Sequence, residues 1–274
     1  SGTISSSAGI LQYGQSNGTS ITQTSTGSLT GPVTAEVLQD GIGNSVTIDQ
    51  SNGYNLNAKV VQQGTCSTCG SIMAYSNSTS LSQDGSNLSA LVNQAGESNN
   101  VELRQRGDYA YATVTQSGEN NFSSVSLDTA GSSIADTSVA KIIQTGNDNT
   151  AGILHIDSTK QVTATITQKG DRLQGYIDQT GPYHQADITQ TGSDHLASVA
   201  QYGESNVATV VQGGAWNYSD IMQTGNNSTA TATQTGTGAS SADQNYIGIT
   251  QSASSVTASV TQNGLGNTVW VTQR

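Results

Sequence analysis

The stretch Gln201-Tyr202-Gly203-Glu204-Ser205-Asn206-Val207-Ala208-Thr209-Val210-Val211-Gln212 holds one complete unit of this chain. Its two glutamines stand eleven residues apart, and the same interval reaches Gln168, Gln179 and Gln190 on one side and Gln223 and Gln234 on the other. A fixed internal period marks a repeat array, in which each unit buries its apolar face only against its neighbours. Ala208, Val210 and Gln212 lie two apart. On a strand such residues share a face, so a small, a β-branched and an amide side chain all point the same way. Ala186, Ile188 and Gln190 repeat the pattern, as do Ala197, Val199 and Gln201. The intervening slots hold Glu36, Asp49, Lys59, Glu102, Arg104, Lys141, Asp178, Asp187 and Asp220. Charge therefore avoids one face and accepts the other.

After each glutamine the chain changes character. Gly203 follows Gln201 by two positions and Asn206 by five, and Gly192, Gly225 and Gly264 fall in the first of these slots. Glycine supplies the φ > 0 conformations of tight turns. Each half-repeat reads as one strand of about five residues and a turn of similar length. Two half-repeats make a coil of 22 residues, and equivalent strands of successive coils stack parallel and in register, about 4.8 Å apart. A lone buried Gln would leave polar groups unpaired at about 1 to 3 kcal/mol. A column of Gln bonds each amide to those above and below.

The amide ladder is expected at Gln12, Gln23, Gln39, Gln50, Gln62, Gln83, Gln94, Gln105, Gln116, Gln144, Gln168, Gln179, Gln190, Gln201, Gln212, Gln223, Gln234, Gln251, Gln262 and Gln273. Two degenerate segments, Phe122 to Thr129 and Ala151 to Asp157, fill the remaining gaps. The fold expected is all-β, a two-sheet β-solenoid of about eleven 22-residue coils. A single domain spans 8–273 behind a short lead at 1–7, with loop insertions at about 24–32, 65–77, 130–138, 158–161 and 237–244. Insertions of this kind bulge from the edges without breaking a stack.

Composition alone would suggest disorder, because only 5% of the residues are aromatic and 10% charged. The periodicity overrules it. A net charge of −11 argues against a basic nucleic-acid surface and reads as colloidal protection. There is no transmembrane run and no apolar signal segment, and a chain opening on Ser1 reads as a processed form.

No Ser, His and acid arrangement, phosphate-cradling loop, convergent carboxylate pair or metal-ligand cluster emerges, so no enzyme, metal site or cofactor is expected. His184 and His195 occupy the turn slot usually held by Asn and belong on opposite edges of the coil, as one turn former replacing another. His155 falls in the Gln slot of a degenerate strand, where it caps an amide column. Thr165, Thr167, Thr189, Thr209, Thr231, Thr233 and Thr261 line one outer face. They carry the alternative reading, a monomeric secreted β-solenoid that binds ice or glycan through that face. Thr is also simply a good exposed strand former.

The first strand, Ala8-Gly9-Ile10-Leu11-Gln12, and the last, Val269-Trp270-Val271-Thr272-Gln273, carry no helix, Pro or block of charge to blunt them. An open strand edge recruits other chains. A head-to-tail contact that does not close on itself gives a filament. Ala8, Ile10 and Gln12 at one end, and Val269, Val271 and Gln273 at the other, are the expected polymerisation ends.

The phrase Gln-x-Gly-x-x-Asn-x-Ala-x-Val-x-Gln, as it stands from Gln201 to Gln212, resembles the curlin repeat of bacterial curli subunits, and the resemblance covers nearly the whole chain. It implies a structural subunit of a secreted functional amyloid in the extracellular biofilm matrix. It implies export through the periplasm and an outer-membrane channel, seeding by a nucleator subunit at the cell surface, and a homopolymer filament of stacked solenoids. The closing Val271-Thr272-Gln273-Arg274 resembles a nucleator's ending, yet a nucleator's terminal repeat is more basic, which favours the major, polymerising role. The chain departs from the family pattern in carrying more coils than usual and in Cys66-Ser67-Thr68-Cys69. Given the secreted character that the resemblance implies, a disulfide between Cys66 and Cys69 is the leading reading of that motif. A redox motif would want alternating strands and helices around it, and a metal site would want further ligands.

Overall fold

Alternating burial in short segments, punctuated every eleven residues, allows one outcome: strands that stack flat and turn back on themselves. A computed structural model of the chain describes residues 5–24, 32–64, 76–129, 137–156, 160–236 and 240–274. The first sheet holds β1 (Ser5–Gln15), β3 (Pro32–Ile42), β5 (Asn57–Gln63), β7 (Ser89–Glu97), β9 (Ala110–Glu119), β11 (Ser138–Thr145), β13 (Val162–Asp171), β15 (Gln185–Ser193), β17 (Val207–Ala215), β19 (Thr229–Gln234) and β21 (Thr257–Gln262). The second holds β2 (Gly18–Thr24), β4 (Ser45–Tyr54), β6 (Ser78–Ser86), β8 (Asn100–Asp108), β10 (Phe122–Thr129), β12 (Thr150–Ile156), β14 (Gln174–Thr180), β16 (Leu196–Tyr202), β18 (Asn217–Gln223), β20 (Asn245–Gln251) and β22 (Thr268–Gln273). Odd strands pair only with odd strands and even with even, all in parallel. The fold is a two-sheet β-solenoid.

Register follows the repeat: Ala164, Ala186 and Ala208 stack, as do Ile166, Ile188 and Val210, and Gln168, Gln190 and Gln212. The facing side chains form one continuous apolar core between the sheets, in which Ile188, Val199 and Val210 are buried. Each such side chain contributes about 1.5 to 3 kcal/mol. Glu36, Asp49, Lys59, Glu102, Arg104 and Lys141 all face outward and are exposed. Insertions leave the stacking intact, since Gln12 pairs with Gln39 and Gln50 with Gln83 across gaps well above 22 residues. One extra residue between Gln50 and Gln62 is absorbed by a register shift between Ser51 and Tyr54.

The strands are longer than the sequence suggested, up to eleven residues in β1 and β3. The reason is the glycine two positions after the Gln, which in the longer strands stays in the ladder with φ > 0 instead of opening a loop. Gly192 has φ 120°, and a Cβ there would stand 1.9 Å from the Gly214 carbonyl oxygen of the next coil. The chain then reverses through one left-handed residue, such as Ser205 (φ 58°) or Asn227 (φ 54°). Gly192→Ala is expected to cost about 3 kcal/mol or more, from backbone strain and a clash with rigid backbone. Gly213, where a Cβ would meet only the Gln234 carbonyl oxygen at 4.0 Å, should accept Ala within about 0.5 kcal/mol. Urea denaturation of the two variants measures the difference.

Candidate functional site

The inward glutamines of the first sheet form one unbroken column. Gln12 Nε2 donates to Gln39 Oε1 at 2.5 Å, and the chain of bonds continues through Gln62, Gln94, Gln116, Gln144, Gln168, Gln190, Gln212 and Gln234 to Gln262 at 2.8 to 3.0 Å. From Gln39 onward each amide also donates across the core to a backbone carbonyl at the start of a strand in the other sheet: Gln190 Nε2 to Gln174 O at 2.8 Å, Gln212 Nε2 to Leu196 O at 3.0 Å. A buried Gln therefore uses both N–H groups and ties the two sheets together.

Every rung has the same polarity. The lower-numbered residue donates Nε2–H and the higher-numbered one accepts at Oε1.

In the second sheet the column has two parts. Gln23, Gln50, Gln83 and Gln105 are linked at 2.8 to 2.9 Å, and Gln179, Gln201, Gln223, Gln251 and Gln273 at 2.7 to 2.8 Å. Between them Leu127 and His155 occupy the amide slot. His155 heads the later part of the column. It is wholly buried; Nδ1 lies 2.6 Å from Ser138 Oγ, while its Nε2 and the neighbouring Gln179 Oε1 lack a partner at hydrogen-bond geometry. Burial drives the imidazole pKa down to about 3, although Gln179 is close enough to raise it in part.

A second kind of column runs up the coil edges, which the sequence presented only as turn formers. On the edge leading from first to second sheet, Asn99 Oδ1 accepts the Asn121 backbone N–H at 3.1 Å and the Asn121 Nδ2 at 2.9 Å, while Asn99 Nδ2 donates to Gly118 O at 2.9 Å. Asn17, Asn44, Asn77, Asn149, Asn217, Asn245 and Asn267 occupy the equivalent place. His195 stands in this column and His184 in the one on the opposite edge, and both are buried. Each imidazole copies an asparagine. His195 Nδ1 accepts the Asn217 N–H at 3.2 Å and its Nε2 faces Thr191 O at 3.2 Å; His184 Nδ1 accepts the Asn206 N–H at 3.2 Å and its Nε2 faces Thr180 O at 3.0 Å. These partners fix the neutral Nε2–H tautomer in both. Burial lowers the pKa of each.

The stack ends in two composite edges among the described residues. At one, β1 and β2 are outermost; at the other, β21 and β22. Ile10 is 50% exposed although it occupies the slot in which Ile188 and Val210 are at 0%. Ala8 and Gln12 are likewise exposed, and Val269, Val271 and Gln273 are half-buried. Sequence reasoning named one strand at each end. The coil adds Thr19, Ile21 and Gln23 beside the first, and Ala258, Val260 and Gln262 beside the last. The signal was present in the 22-residue coil, whose two strands must end on the same level. Cys66 and Cys69 lie outside the described residues.

The outer Thr face is discontinuous. Along the first sheet Lys141 precedes Thr165, Asp187 separates it from Thr209, and Val211 separates Thr189 from Thr233.

A model of the curlin associated repeat matches six segments in two overlapping runs, residues 76–107 and 96–127, then 163–192, 177–203, 185–213 and 203–236. The chain is a curlin-repeat protein. No curated protein sequence matches it. The matched segments carry the most regular Gln, Gly and Asn spacing, whereas 128–162 holds the His155 rung and two insertions. With its repeats and its solenoid fold, the curlin-repeat chain is a curli-like structural protein.

Proposed function

We propose that this curlin-repeat protein is the polymerising subunit of an extracellular functional amyloid fibre of the biofilm matrix, built by head-to-tail stacking of solenoids. The observation that carries this reading is the pair of composite edges, which complement each other in register and in polarity. Setting β21 and β22 of one molecule against β1 and β2 of another matches Ala258, Val260 and Gln262 with Ala8, Ile10 and Gln12. It matches Val269, Val271 and Gln273 with Thr19, Ile21 and Gln23. Donor ends of the Gln columns then meet acceptor ends, as inside the chain. Such a contact repeats without closing and gives a filament.

The partners in this reading are further copies of the chain, a nucleator subunit and an outer-membrane secretion channel, with export through the periplasm to the cell surface. Among the described residues no helix is long and apolar enough to cross a membrane. The role is structural rather than catalytic.

Lysine at Ile10 or Val271 places a charge in the joint without touching interior rungs. Either variant should stay folded by circular dichroism while its elongation, followed by thioflavin fluorescence and electron microscopy, slows at least tenfold. Elongation at the unmodified rate in both would remove the two edges from the assembly.

A further inference from the structure

In a repeat array every coil has nearly the same backbone, so a surface slot that breaks the pattern over a few adjacent coils is free of folding demands. One such set lies on the edge leading from first to second sheet. The left-handed slot just before the inward Asn, Leu or His carries Ser16, Gly43, Ser98 and Asn120 in the early coils, none of them aromatic or charged. In the next four coils it carries Asp148, Arg172, Asp194 and Trp216, with φ of 56 to 57°. A bulky side chain such as Trp is disfavoured in this conformation, and such outliers gather where a ligand is held.

These side chains form one wall of a groove of about 640 Å³. The other wall is the outward start of the facing strands, Gln174, Leu196 and Tyr218, which stack in register. Arg172 binds Asp194 in a two-pronged ion pair, Nε to Oδ1 at 2.7 Å and Nη2 to Oδ2 at 2.8 Å. The Asp194 side chain is only 12% exposed, whereas Arg172 stays 58% exposed and keeps N–H donors that this pair does not use. Gln174, Gln244 and Asp148 are exposed at the rim. The groove thus combines an indole and a phenol ring with planar, forked polar groups held in place by an ion pair. It is of the size that holds small ligands.

We propose that this groove binds a short segment of a β-1,4-linked, equatorially substituted pyranose chain. Such a sugar has flat C–H faces that pack on an aromatic ring, and pairs of neighbouring hydroxyls that match forked donors and acceptors. Trp216 and Tyr218 supply the rings. Arg172, Gln174 and Asp148 supply the hydrogen bonds, which in a neutral ligand need no net charge from the site. The groove runs along the stacking axis, and the coil rise of about 4.8 Å is close to the length of one pyranose unit, so successive rings meet successive coils. The inference stands on the single chain and does not require the fibre; in a fibre each copy would add one groove and binding would gain from multivalency.

The test is titration calorimetry of the soluble full-length chain with cellohexaose and, separately, chitohexaose, whose N-acetyl groups distinguish the two sources of the same backbone. Saturable binding of at least one is expected. Trp216→Asn, which restores the residue type found at this slot in Asn120, should keep the fold by circular dichroism and weaken binding at least tenfold. Arg172→Asn should weaken it severalfold, and Tyr111→Thr, on the other sheet, should leave it unchanged. Failure of both hexasaccharides to bind, binding undiminished in Trp216→Asn, or an equal loss in Tyr111→Thr would each overturn the assignment.

Discussion

Gln190→Leu is expected to destabilise the chain by about 3 to 5 kcal/mol. Its Oε1 takes the bond from Gln168, and its Nε2 supplies bonds to Gln212 Oε1 and Gln174 O. Leucine fills the space but leaves one donor and two acceptors without partners in the core, each at about 1 to 3 kcal/mol, offset in part by apolar burial. Asp187→Ala, three positions earlier on the outer face, should move stability by less than about 0.5 kcal/mol. Urea denaturation under conditions that keep the chain monomeric measures both, and Gln212→Leu should behave like Gln190→Leu. Equal losses at positions 187 and 190 would mean that the inner and outer faces are exchanged.

Acid should weaken the fold in a window set by its histidines. All three have folded pKa values below the ordinary histidine value of about 6.5: His155 at about 3, and His184 and His195 lowered by burial. A depressed base takes up its proton more readily in the unfolded chain, so the stability it allows is complete above about pH 6.5 and is lost as pH falls below that. For His155 the loss continues to about pH 3, where the folded form protonates too. Each such group costs up to about 1.4 kcal/mol per pH unit within its window. The structural cause at the edges is plain: a proton on Nδ1 of His184 or His195 would face the N–H of Asn206 or Asn217 that it now accepts. Between pH 7 and pH 4.5 the His155 rung alone should account for a loss on the order of 2 to 3 kcal/mol. His155→Gln combined with His184→Asn and His195→Asn should remove most of that loss while leaving stability at pH 7 unchanged or improved. Urea midpoints across the pH range test it, and parallel acid profiles for the two proteins would dismiss the buried imidazoles as its source.

Much of this architecture was readable because the repeat writes its geometry in residue spacing. Gln168, Gln179 and Gln190 fix the coil, while Ala and Val two apart fix the inner face. Two half-repeats per coil put alternate strands in separate sheets. The degenerate segments also kept their place: Phe122–Thr129 is β10, and His155 sits in an amide slot above Gln179.

Other features were hidden for physical reasons. Asn99, Asn121 and His195 look like surface turn formers because polar residues after a glycine usually are, yet the neighbouring left-handed residue swings each side chain into the stack, where it becomes an edge column. Strand length was underestimated at Gly192 because glycine signals a break in a lone chain, whereas here its missing Cβ lets the next coil approach. The polarity of the Gln columns has no sequence signal at all, since either amide orientation suits a period of eleven. Only the cross-core bonds, such as Gln190 to Gln174, select it. Trp216 was passed over because nothing in the spacing tells that the slot it fills is left-handed.

The most direct test of end-to-end stacking is mass per unit length of assembled filaments, read together with their diffraction. One chain of 28.1 kDa in two sheets of eleven strands each should advance the filament by roughly 53 Å at about 4.8 Å per coil. The expected result is therefore one molecule per that length, with an unbroken axial spacing near 4.8 Å across the joints. Twice that mass per length, or purified chain that stays a single particle under the same conditions, would contradict head-to-tail growth through the two open coils.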